Sequence, residues 1–227
     1  MRHWIFAAAT LLPIAGQASA ADFEGSFDLA ELHLDSDHSL FLDSSFSYGD
    51  DRDKVVAKLA VGGSVGKQLD EIDGQLLYSR GIGRGISVLA GVRHEFVPRP
   101  RWTYAAIGIE ADAAKGLELE SFGFLSEEGD VTGEVEAILE LPLADRLTIQ
   151  PRVGVSWAAQ AVPQQGLASG LTETELGLRL RYEIAEAFVP YIGISHERLL
   201  GRTAKLARSA GDAVRATHAV IGISSSF

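Results

Sequence analysis

The chain has no cysteine and no asparagine, and its one methionine is Met1. Without cysteine there are no disulfides, no thiolate metal sites and no cysteine nucleophile. Without asparagine there is no Ser–His–Asn catalytic group. Basic residues are also scarce, 20 Lys and Arg against 31 Asp and Glu, for a formal net charge of −11. That balance repels phosphate backbones, and no basic stripe offsets it, so nucleic acid is excluded as a partner. Long apolar runs are missing too. The longest, Trp4 to Ala15, is shorter than the ~20 residues of a membrane-spanning helix. Any membrane residence must therefore be peripheral or through strands. Phosphate loops, metalloprotease helices and nucleophile elbows do not occur.

The first twenty residues have the pattern of an export leader. Arg2 and His3 form the basic start, Trp4 to Ala15 the apolar stretch, and Ala18-Ser19-Ala20 a small-residue cleavage site. The expected organisation is a leader over 1–20 and one domain over 21–227. Removing the leader leaves 19 basic against 31 acidic residues, a net charge of about −12.

Beyond Ala21 the dominant period is two. In 171–184, Leu176, Leu178, Leu180, Tyr182 and Ile184 share one face, and Glu173, Glu175, Arg179, Arg181 and Glu183 the other. In 146–157, Leu147, Ile149, Val153, Val155 and Trp157 oppose Arg146, Gln150, Arg152 and Ser156. In 131–141, Val131, Val135, Ala137, Leu139 and Leu141 oppose Glu134, Glu136 and Glu140; in 117–125, Leu117, Leu119 and Leu125 oppose Glu118 and Glu120. Such alternation marks strands with one apolar and one polar face. About twelve runs of this kind occur, each near the ~10 residues with which a tilted strand crosses a bilayer. The first changes phase between Leu29 and Leu32, which predicts a bulge.

An all-β fold follows, a transmembrane antiparallel up-and-down barrel of about twelve strands in the outer membrane of a Gram-negative cell. With both termini in the periplasm, the second, fourth, sixth, eighth and tenth connections become periplasmic turns, and all are short. The two longest, about 160–170 and 199–214, fall outside. Aromatics near strand ends, Tyr78, Phe96, Trp102, Tyr104, Trp157, Tyr182 and Phe188, are expected in interfacial girdles. Phe227, in phase with Ile221 and Ile223, is the kind of terminal aromatic that insertion machinery reads. The alternative is a secreted β-sandwich, whose polar faces would be rich in Thr, Ser and Lys, whereas these are rich in Glu and Arg together.

Several stretches resemble the copper resistance protein B family: GLASGLTETELGLRLRYEI (166–184), FVPYIGI (188–194), LLYSR (76–80), GVRHEF with Pro98, IQPR (149–152) and GRTAKLARSAGD (201–212). The resemblance runs from about Phe27 to Phe227. It implies an outer-membrane barrel serving copper tolerance, with copper bound or passed in concert with a periplasmic multicopper oxidase or copper chaperone. Many members carry a Met- and His-rich segment before the barrel, whose soft ligands suit copper(I). No such segment lies between Ala21 and the first strand here.

Five histidines follow the leader: His33, His38, His94, His196 and His218. His94 and His196 share the phase of lipid-facing Val92 and Ile194 and fit interfacial rings. His38 opens the second strand, at a solvated loop. His33 and His218 come together if the first and last strands pair. With Glu31 or Asp43 they offer a copper(II) or zinc site, or else they are two polar wall residues. The inward charges form a second constellation: Arg93, Glu95, Glu118, Glu120, Glu134, Glu136, Arg152, Glu173, Glu175, Arg179, Arg181 and Glu183, with Lys58. They either plug a narrow lumen as Arg–Glu ladders or make an electronegative path for cations. No catalytic residues are expected: His196 is outward, but Ser195 points inward and no outward Asp stands beside it.

Overall fold

Thirteen strand segments and one helix follow one another in a meander. They are β1 (Asp22–Leu34), β2 (Ser39–Gly49), β3 (Asp53–Ser64), β4 (Leu69–Gly83), β5 (Ile86–Val97), β6 (Trp102–Ala114), β7 (Leu117–Ser126), β8 (Val131–Leu139), β9 (Leu141–Ala144), β10 (Leu147–Ala158), β11 (Gly170–Tyr182), β12 (Val189–Leu199) and β13 (Arg215–Ser226). The helix α1 (Gly201–Ala210) lies between β12 and β13. The computed structural model describes residues 22–34, 39–50, 52–64, 69–185 and 187–226, and among these the side chains from 39 to 225. The expected leader, His38 and Phe227 lie outside the described residues.

Consecutive strands pair antiparallel from β1 to β8 and from β9 to β13, β8 pairs with β10, and β1 pairs with β13. β8 and β9 both pair with β10 and break at Glu140, so they occupy one position. The ring therefore closes with twelve strand positions. Closure removes the sheet edges and gives the backbone groups partners within the ring, the condition a strand protein must meet in hydrocarbon. β1 does carry a bulge, but its register against β2 slips between Phe27 and Leu29, before the expected interval of Leu29 to Leu32.

The two faces differ as the alternation requires. On β11, Leu176, Leu178 and Leu180 are exposed on the outer wall while Arg179 is 2% exposed. On β6, Ile107 and Ile109 are outside and Tyr104 and Ala106 inside. An apolar wall running around the whole circumference would be a liability in water. Against lipid it is what holds the barrel in place.

Connections at one end are short. In the β2–β3 turn, Asp50 Oδ1 accepts hydrogen bonds from the Arg52 and Asp53 amides at 2.9 and 2.8 Å. In the β6–β7 turn, Gly116 has φ +74°, and a Cβ there would sit 2.6 Å from the Glu140 carbonyl oxygen. The other end carries the long connections. Residues between β10 and β11 include a 3₁₀ turn, Pro163–Gln165. α1 rests on that loop: the Ala168 amide donates to Thr203 Oγ1 at 3.0 Å, and the Leu200 amide donates to the Thr172 carbonyl at 2.8 Å. The helix stops at Gly211, whose φ of +86° is the left-handed conformation that closes helices.

Candidate functional site

The lumen is an acid-lined space divided by an apolar belt. Along β5, β6 and β7 the inward positions run acidic or polar, then apolar, then charged or aromatic. Ser87 leads through buried Leu89 to Arg93, Glu110 through Ala106 to Tyr104, and Glu120 through Phe122 to Phe124. With Val56 of β3 and Leu77 of β4, these apolar side chains form one packed cluster. Phe122 reaches so far inward because Gly108, its register partner on β6, has no side chain; a Cβ there would meet the ring at 2.3 Å.

Lys58 of β3 crosses the belt. Its Nζ donates to Glu110 Oε1 at 3.1 Å and to both Glu120 oxygens at 3.0 Å, and it lies 5.0 Å from the Phe122 ring centroid. The ammonium's three donors are thereby satisfied by two carboxylates. The lysine is 62 residues from Glu120 in the chain, so only closure brings them together.

Below the belt, at the short-turn end, is a cavity of about 300 Å³. Its acids are Glu110, Asp112, Glu118, Glu120 and Glu136, with Arg52 the one basic residue among the described lining. Arg152 donates from Nε and Nη2 to Glu136 Oε1 at 2.9 and 2.6 Å. Nearby, Arg181 is paired with Glu140 and donates to Ser224 Oγ at 2.9 Å.

Above the belt, at the long-loop end, is a second cavity of about 360 Å³. Asp70, Glu71, Asp73, Glu95, Glu134 and Glu173 line it, with Arg93 as the one basic residue among the described lining. Arg93 donates to Asp73 Oδ2 at 2.6 Å and is 3.3 Å from Glu95. Its guanidinium also sits 4.7 Å from the Phe124 ring and 5.7 Å from Tyr104. Gln165 reaches down from the β10–β11 loop and donates to the Tyr104 hydroxyl at 2.6 Å, crossing the mouth.

The remaining charges are placed as follows. Glu175 accepts from Ser195 at 3.2 Å, and buried Arg179 lies 5.5 Å from the Tyr191 ring. Glu183 stands apart: it is exposed, one residue past β11, with its amide bonded to the Arg146 carbonyl. Trp102 and Tyr104 depart from the girdle expected of them. Both are inward, 5% and 3% exposed, because they share the phase of Ala106 and Glu110. His94 and His196 are on the outer wall, with Nδ1 atoms 2.9 and 2.6 Å from Thr103 and Thr217 hydroxyls on neighbouring strands.

The four residues expected to form a metal site are not all at one level. β1 and β13 are neighbours, and His33 is opposite Val220, two residues from inward-facing His218. Glu31 is opposite Gly222 and Phe41. Asp43 is four residues from Ser39, the β2 partner of His33, or roughly 13 Å along the strand. Asp43 and His33 thus stand at different levels of the wall. The carboxylate facing His218 is Glu197 of β12, 3.8 Å away, and both are buried. Glu197 shares the inward phase of Ser195, but nothing local in the sequence links it to His218. Among the described residues, no group of three or more His, Asp or Glu is arranged to hold a metal.

The chain matches the family described as Copper resistance protein B precursor over residues 23–227. A copper resistance protein B homolog of Pseudomonas syringae pv. tomato is 32% identical over 185 residues, covering 82% of this chain and 63% of that protein. The Escherichia coli copper resistance protein B is 36% identical over 164 residues, covering 72% of this chain and 55% of its own. This chain thus spans less than two thirds of the length of either relative. Among solved structures, the NanC porin aligns with a TM-score of 0.55 at 13% identity, covering 92% of this chain and 99% of its own. The KdgM porin gives 0.53 at 10% identity, covering 90% and 99%. These likenesses establish the fold as an outer-membrane β-barrel.

Proposed function

Because the chain belongs to the copper resistance protein B family, we propose that this outer-membrane barrel contributes to copper tolerance by drawing copper cations into its lumen and exchanging them with a periplasmic multicopper oxidase or copper chaperone. One observation carries the reading: in both cavities the described carboxylates outnumber the basic groups, six to one and five to one. Low-dielectric walls around such a charge focus the field and raise the local concentration of cations while rejecting anions.

Copper is cargo in this reading, and its ligands would be few. Soft thioethers and thiolates are absent beyond Met1. The groups suited to copper(II) are imidazole and carboxylate, here His218 with Glu197, and His33 and Glu31 by their places on β1. Copper(II) titrated into purified barrel should saturate near one equivalent, and acid should abolish binding because imidazole ligates only when unprotonated. A His33→Ala, His218→Ala double variant that binds copper(II) as well as wild type would remove the seam site.

Deleting the gene should lower growth in copper specifically, with rescue by the intact chain. Unchanged growth across copper concentrations would sink the copper reading. The belt favours a second one, a narrow cation-preferring pore or a structural barrel with no metal role. Wild-type copper tolerance in the deletion strain would leave that one standing.

A further inference from the structure

Basic residues gather at one place on the long-loop end. Residues 198–215 hold Arg198, Arg202, Lys205, Arg208 and Arg215 against one acid, Asp212, while the rest of the chain holds 15 basic against 30 acidic residues. Two of the five are joined by register, since Arg198 of β12 is directly opposite Arg215 of β13. Both are exposed, in the outward phase of Ile192, Ile194 and His196 on β12 and of Thr217, Ala219 and Ile221 on β13. Like charges directly opposite each other on one face of a sheet repel. No acid relieves them. The outward residues of β12 and β13 include none, the β11 neighbour of Arg198 is Thr174, and neither arginine makes an ion pair among the described residues.

The pair stands at the level of lipid headgroups. Phe188, exposed at the short-turn end, is ten residues before Arg198 in the same phase. Ten residues span about 34 Å of strand, or about 25 Å along the membrane normal at the usual tilt, the height of the apolar band of such barrels. Between them the outward column reads Pro190, Ile192, Ile194 and His196, and only then a charge. From the top of β12 the chain passes into α1, which buries Thr203 and Ala204 and exposes Arg202, Lys205 and Leu206 on its opposite face. Guanidinium groups match phosphate oxygens in charge and in fork geometry. A free anion gains nothing from the isoleucines below the arginines, whereas an amphiphile uses both.

We propose that Arg198 and Arg215, with the exposed face of α1, form a docking site for the headgroup phosphate of an outer-leaflet lipid whose acyl chains lie along Ile192, Ile194 and Ile221. The phosphate supplies the negative charge that the arginine pair lacks, and the long loops of such barrels face outward. The site uses neither lumen cavity and is independent of copper tolerance.

The test is equilibrium binding of the full barrel, folded in neutral detergent, to lipid A carrying both phosphates and to the same lipid dephosphorylated, with inorganic phosphate as competitor. Wild type should bind the phosphorylated lipid at least about tenfold more tightly than the dephosphorylated one, and an equal concentration of inorganic phosphate should not displace it. Arg198→Gln with Arg215→Gln should weaken that binding at least about tenfold. Without lipid, the heat-modifiable folded band of this variant, which migrates fast on a detergent gel, should survive to the same or a higher temperature, because the like-charge repulsion is gone. Arg99→Gln with Arg101→Gln, at two exposed arginines of the β5–β6 connection on the same rim, should bind as wild type does. An equal loss in that control overturns the site, as does wild-type affinity in the Arg198 and Arg215 variant. Equal binding of the dephosphorylated lipid, or displacement by inorganic phosphate, is equally fatal. If the double variant fails to fold, Arg215→Gln decides alone: a several-fold loss is expected, and wild-type affinity there overturns the site.

Discussion

The two ends of the lumen have nearly the same acid excess and use it differently. At the short-turn end most carboxylates are engaged in holding strands together: Glu110 and Glu120 by Lys58, and Glu136 by Arg152. At the long-loop end Arg93 takes Asp73 and Glu95, while Glu71 and Glu134 make no ion pair within 4 Å among the described residues. The aromatic side chains are likewise unevenly shared, with Phe41, Tyr104 and Phe124 on the outer side. The difference teaches that net charge alone does not identify a ligand site. Carboxylates bound to cations of the wall are structure, whatever the net charge of the space they line.

The largest effect should come from taking away the cation that satisfies two acids at once. Lys58→Ala leaves Glu110 and Glu120 side by side as register partners on β6 and β7 with no shared cation. Breaking a buried pair by deleting one partner costs about 3–5 kcal/mol. The folded, fast-migrating band should be lost at a clearly lower temperature, and adding Glu120→Gln should recover part of the loss. Unaltered heat stability would show that the waist is not held by this ion pair.

Arg152→Met should cost less, on the order of 1.5–3 kcal/mol, because one carboxylate loses a charged partner near a water-accessible cavity. Its folded, fast-migrating band should be lost at a temperature between those of Lys58→Ala and wild type. Heat stability equal to wild type would show that the pair of Arg152 with Glu136 holds nothing together.

The smallest effect belongs to the β2–β3 turn. The Arg52 and Asp53 amides hold the Asp50 carboxyl below its ordinary value near 3.8. A depressed carboxylate stabilises the fold above the unfolded value, and its contribution fades as pH falls through the folded one. Asp50→Ala should therefore shift the acid-unfolding curve slightly below pH 4 and flatten it there. A variant whose curve overlays wild type in that window would show that the turn forms without the charge.

Much of this was legible in the chain. Alternation over 171–184 marked the faces of β11, and the unequal connection lengths marked its two ends apart. The phase slip near Leu29 marked the bulge, and Leu89, Phe122 and Phe124 stood openly in the inward phase. Trp102 and Tyr104 were misplaced because residue type was weighed above phase: aromatics near strand ends suit a girdle and a lumen equally well. What no local pattern carries is partnership across the barrel. Lys58 with Glu120, Gln165 with Tyr104, and Glu197 with His218 depend on closure and register. The level of Asp43 on β2 is likewise fixed by pairing and not by spacing from His33.

The account rests on a lumen in which two acid-lined cavities are separated by an apolar belt centred on Phe122. Planar-bilayer recordings of wild type and Phe122→Ala across a potassium chloride gradient test it most directly. Wild type should conduct weakly. The variant should conduct several-fold more, with a reversal potential on the cation-selective side. Equal conductance in the two proteins, or a reversal potential on the anion side, would contradict it.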